Sequence, residues 1–181
     1  MSATTSDITI DFEWVDAPKG VQGAELKATW ARLSIIVDGY PVTRVYDECS
    51  KTTRDFVCLP LHPLAEWLAE QWWHLWSEQR PLESATAENR ADYNGRHSFV
   101  NCREGYALPP IQIELVNSFV LVSWLPERLP NARLEFLGQG TAWFEMETIR
   151  DKFSLLVDAV VDRLHANKIS DTYLQQELFN I

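Results

Sequence analysis

Leu59–Arg80, L-P-L-H-P-L-A-E-W-L-A-E-Q-W-W-H-L-W-S-E-Q-R, holds four of the chain's eight tryptophans and decides how the rest is read. Leu64, Trp67, Leu68, Trp72, Leu75 and Trp76 recur at helical spacing and share one face. Pro63 stands where a first-turn proline is tolerated, because its missing N–H would have had no helical partner anyway. The pattern predicts a helix over about 62–79, long enough at roughly 1.5 Å per residue to cross a small sheet. Burying six large apolar side chains at about 1.5–3 kcal/mol each outweighs any surface ion pair, so this helix is expected to be the central packing element. Glu66, Ala69, Glu70, Trp73 and Ser77 fall on the other side. Trp73 is either covered by a second element, the simpler reading, or an exposed aromatic anchor for a partner.

On both sides of this stretch the pattern alternates as in half-buried strands. Before it come Asp7–Val15, then Glu25–Val37 with a bulge or kink expected near Leu33, then Val42–Asp47, which forms a hairpin with the strand before it through Asp38-Gly39-Tyr40-Pro41. Phe56–Leu59 is a short apolar strand leading into the helix. After it, Ile111–Val116 and Phe119–Leu125 make a hairpin across Asn117-Ser118. Arg133–Leu137 and Thr141–Met146 make another, across Gly138-Gln139-Gly140. Trp14, Trp30, Trp124 and Trp143 lie in these strand patterns and are expected in the core. Ile149, Phe153, Leu156, Val160 and Leu164 predict a second amphipathic helix over about 147–166, with Asn167 as a left-handed stop. Residues 168–181 are a short helix or connector, with Ser170 as cap.

Residues 81–95 form the most polar stretch, expected to be a mobile surface loop with room for a helical turn. Gly105–Pro110 is a rigid connector, since a residue before proline avoids the helical region. Strands joined mostly by hairpins, with two substantial helices, give an α+β fold with antiparallel sheet. No linker divides the 181 residues, so 1–181 is taken as a single domain.

Composition narrows function more than it names it. At 46% hydrophobic and 23% charged residues the chain is globular. A formal net charge of -10 argues against direct nucleic-acid binding, which needs clustered Lys and Arg. Scattered acids leave open an inhibitor that mimics DNA. Cys49, Cys58 and Cys102 are odd in number and lack pair spacing, the first nine residues are polar, and no run approaches a membrane span. A cytoplasmic protein with buried free thiols and no membrane association is the expectation.

Phosphate loops, G-x-S-x-G and H-E-x-x-H are absent. His62 and His74 lie about 120° apart around a helix and cannot share an ion; no metal or other cofactor is expected. His97, Cys102 and Asp92 could be drawn as a nucleophilic set for an enzyme of unrecognised type, but no residue is assigned as catalytic. The densest polar and aromatic group comprises Arg90, Asp92, Tyr93, Asn94, Arg96, His97 and Tyr106. With Trp73, the residues Arg90, Asp92, Tyr93, Arg96, His97 and Tyr106 form the candidate binding surface.

The order L-H-P-L-A-E-W-L-A-E-Q-W-W, R-H-S-F, G-Y-A-L-P-P-I-Q-I and a strand ending S-W resembles an uncharacterised bacterial domain found ahead of ImmA/IrrE-type zinc metallopeptidase domains. The closing V-D-R-L-H-A-N-K-I-S-D-T-Y-L-Q-Q-E-L-F-N-I is similar to the segment joining the two. These motifs are structural and carry over no catalytic residue. The peptidase half is missing, so the chain reads as an excised domain or one that stands alone. The resemblance implies a non-catalytic interaction or sensing module in bacterial regulation or phage defence. Its partner would be a protein, such as a metallopeptidase or a defence effector; oligomeric state is left open.

Overall fold

A computed structural model describes residues 5–99, 108–129 and 133–170. Strand β1 (Ile8–Trp14) pairs antiparallel with β2 (Trp30–Val37) in unbroken register, from Ile8 opposite Val37 to Trp14 opposite Ala31. The bulge expected near Leu33 is absent, because the run from Glu25 is not all strand. Its first residues form a short helix, α1 (Ala24–Ala28), entered from Gly23 at φ 87° and closed by a Thr29 hydroxyl that donates to the Glu25 carbonyl at 2.7 Å. From Ala31 to Val37 burial then alternates without a slip.

Asp38 and Gly39, both at positive φ, turn the chain into β3 (Tyr40–Pro41), which pairs with the end of β2. The expected hairpin stops there. Strand β4 (Val45–Asp47) crosses to a second sheet, where it pairs with β5 (Thr52–Arg54). Strand β6 (Val57–Pro60) returns to pair with the first half of β2.

The second sheet is completed by β10 (Arg128–Leu129) and β11 (Leu134–Phe136), in the order β10-β11-β4-β5. The third contains β7 (Ser98–Phe99), β8 (Ile111–Val116), β9 (Phe119–Trp124) and β12 (Gly140–Glu145), in the order β12-β9-β8-β7. The β8–β9 hairpin turns at Asn117, φ 58°, as expected. The other expected hairpin does not form: β11 pairs with β4, and β12 with β9. Gly140 explains the misreading. A Cβ there would stand 2.4 Å from Trp124 Cζ2, so this glycine serves close packing rather than a turn.

Helix α2 (His62–Ser77) is the Trp-rich stretch. Its start is tied to α1 through Thr29, whose carbonyl accepts from Leu61 N at 2.9 Å and whose hydroxyl accepts from His62 N at 3.3 Å. Leu64, Leu68, Leu75 and Trp76 are buried, and Trp67 and Trp72 pack partly buried against the same core. Ala69, placed on the outer side by the pattern, is buried too, so the apolar stripe is wider than expected. Helix α4 (Met146–Ala166) buries Ile149, Phe153, Leu156, Val157, Val160 and Leu164, with Phe153 6.3 Å from the Trp76 ring. It ends at Asn167 with φ -91°; the left-handed residue is the next one, Lys168. The result is an α+β fold in which antiparallel sheets and two long helices share one core.

Other expectations change. Trp143 is 37% exposed, while Trp30 and Trp124 are buried and Trp14 partly so. Cys49 and Cys58 are exposed rather than buried thiols. Residues 81–95 are largely helix: α3 (Ala87–His97) begins at Thr86, whose hydroxyl accepts from Asn89 N at 3.2 Å. Cys102, Tyr106 and the final segment from Asp171 lie outside the described residues. Among the described residues no helix is long and apolar enough to cross a membrane.

Candidate functional site

Where α2 ends, Glu78 leaves the helix with its N–H still bonded to the His74 carbonyl. Its carboxylate gathers three side chains. Arg96 donates from Nε at 3.0 Å and Nη2 at 2.5 Å, His74 Nδ1 lies at 3.1 Å and His97 Nε2 at 3.4 Å. The bidentate Arg96 fork holds the Glu78 carboxyl down at about 2, against the opposing effect of burial.

His97 is fully buried, its ring stacked on Tyr93 at 3.8 Å between centroids. Its Nδ1 lies 2.8 Å from the Ile113 carbonyl, which can only accept, so Nδ1 carries a proton. Neutral His97 therefore turns a bare Nε2 toward Glu78; only the protonated ring donates there. Burial pushes its pKa below the ordinary value, while the Ile113 and Glu78 contacts oppose that shift. The Tyr93 hydroxyl is also enclosed, and burial pushes its pKa up. Behind it Glu114, buried on β8, faces Arg80 at 3.4 Å.

The predicted surface thus divides. Tyr93 and His97 are interior, a correction that follows from α3: four residues apart, they occupy the helix face turned to β8. Arg90 is spent on the chain itself, donating from Nε and Nη2 to the Ala85 carbonyl at 3.1 and 3.0 Å and from Nη2 to the Glu83 carbonyl. Arg96 is half-buried against Glu78. Asp92 and Trp73 are exposed, Trp73 at 67%, its indole edge-on to the His74 ring at 5.1 Å. A cleft of about 450 Å³ opens beside the knot, lined by Glu78, Leu82, Asp92, Tyr93 and Arg96 among others.

Sequence reasoning missed Glu78 and His74. Their spacing of four at a helix C-terminus was a usable signal. Chemically, a carboxylate held ionised by Arg96 makes a weak general base near neutral pH, and His97 has no exposed atom with which to reach a substrate. The knot is suited to clamping α3 onto the end of α2. Among the described residues no group of three or more His, Cys, Asp or Glu could hold a metal ion.

The chain matches no protein-family model, no curated protein and no solved structure.

Proposed function

We propose that this chain is a non-catalytic protein-interaction or sensing module of a bacterial regulatory or phage-defence system, acting in the cytoplasm. Trp73 carries the reading. A tryptophan left 67% exposed on an otherwise well-packed helix is the residue type that dominates binding energy at protein interfaces. It stands next to His74, a member of the Glu78 knot, so the helix that presents it is held rigid where a partner would dock. Exposed Leu82 adds apolar surface beside the same knot, and Asp92 adds charge.

The resemblance of the Trp-rich stretch to a domain found ahead of ImmA/IrrE-type peptidases supplies the partner to try first: a metallopeptidase of that type. Calorimetric titration of the full chain with that protein should give measurable affinity. Trp73→Ala should weaken it by about tenfold or more while leaving the melting temperature unchanged. Affinity indifferent to Trp73→Ala removes the proposed surface.

A further inference from the structure

On the third sheet, one row of side chains crosses all four strands. Ser98 stands opposite Gln112, Gln112 opposite Ser123, and Ser123 opposite Thr141. Register partners project to the same face, and here that is the outer one, because the neighbouring Ile113, Val122 and Ala142 are buried in the core. All four polar residues are partly or fully exposed. Among the described residues the row makes one side-chain hydrogen bond within the protein, from Gln112 Nε2 to Asn94 Oδ1 at 3.1 Å. That bond fixes the amide while leaving its oxygen free to accept. The row floors a cleft of about 560 Å³ that also reaches Leu125 and Gln139, and among the described residues no charged side chain lines it. Two residues along β12 from Thr141, and therefore on the same face, stands Trp143 at 37% exposure, opposite Leu121.

We propose that this face binds a neutral saccharide. Each hydroxyl and amide in the row can both donate and accept, which matches sugar hydroxyls. Strands lie about 4.8 Å apart, so successive polar groups are spaced about one pyranose ring from the next. The Trp143 indole offers an apolar face on which the C–H side of a ring can rest. A charged ligand would find no countercharge among the described residues of the cleft, and a purely apolar one would leave the polar row unpaired. The inference does not depend on the Trp73 surface.

The test is a ¹H–¹⁵N NMR titration of the full chain with maltotriose and, separately, with triacetylchitotriose; sodium sulfate is the charged control. Saturable shifts are expected at the Trp143 indole N–H and at the Ser123 and Thr141 amides, with the Trp73 indole unmoved. Trp143→Ala and Ser123→Val should each weaken the affinity about tenfold. Thr141→Val replaces Ser123→Val if that variant fails to fold. The proposal is overturned if neither sugar moves these resonances, if binding survives the substitutions at full strength, or if sulfate produces the same shifts.

Discussion

Helices α2 and α3 meet at Glu78 and are held by different means. Along α2 the buried set is mostly aliphatic and aromatic, with Leu64, Ala65, Leu68, Ala69, Leu75 and Trp76 packed into the core and His62 alone among them titratable, at the first turn beside Glu66. Along α3 only Tyr93 and His97 are buried, and both carry polar atoms. What positions α3 is a charged fork from Arg96 to Glu78, a histidine bonded to the β8 backbone, and the burial of Tyr93 beside it. Apolar burial is indifferent to pH over the ordinary range, whereas a knot of carboxylate, guanidinium and imidazole is not. One helix should therefore behave as the permanent frame and the other as an attachment whose strength follows solution conditions.

The largest effect expected is on the frame. Leu68 has no exposed surface, and Leu68→Ala should destabilise the fold by about 3 kcal/mol, within the usual 2–5 for such a truncation. Urea denaturation at two pH values measures this, and the loss should be the same at both. A loss below about 1 kcal/mol would mean that α2 is peripheral and would end the comparison.

The attachment is tested next. Glu78 has its pKa lowered from 4.5 to about 2 in the fold, so its contribution is complete above about 4.5 and disappears as pH falls toward 2. Allowing for its partial exposure, the contribution is about 2 kcal/mol. His97 acts in the same direction from a higher starting point. With its pKa held below 6.5, the unfolded chain takes up a proton first, and stability declines as pH drops from 6.5. Glu78→Gln should cost about 2 kcal/mol at pH 7 and flatten the decline between pH 4.5 and 2. A variant with the parent's acid profile would show that the carboxylate is not the controlling group.

The same contrast explains what could be read in advance. α2 and α4 were legible because their apolar residues recur at helical spacing, and β1, β8 and β9 because theirs alternate. α3 was not, since two buried residues in eleven make no stripe; its Thr86 cap and its basic last turn were the available clues. α1 was hidden because Leu26, Ala28 and Trp30 mimic strand alternation across a helix–strand junction. The pairing of β4 with β11 and of β12 with β9 was out of reach, because alternation says that a segment is a strand and not which strand it joins. The angular position of Trp73 sets it off the apolar stripe, but its 67% exposure overturns the simpler expectation that a second element covers it; Glu78 was passed over because an acid just past a helix end looks like ordinary solvated surface.

The smallest effect isolates how much of α3 is its own. The Thr86 hydroxyl satisfies the Asn89 N–H, one of the four amides that a helix leaves unpaired at its start. Thr86→Ala removes that acceptor at an exposed site, so the expected loss is about 1 kcal/mol and independent of pH. Because the cap lies at the far end of α3 from Arg96 and His97, the loss should add to that of Glu78→Gln if α3 docks as a rigid unit. If the double variant loses less than the sum, the helix already frays once the knot is cut, and the cap then has nothing left to hold. Urea denaturation of the two single variants and the double variant distinguishes these outcomes. Additivity makes α3 a preformed helix clamped at one end, and its failure makes the Glu78 knot the reason that the helix exists.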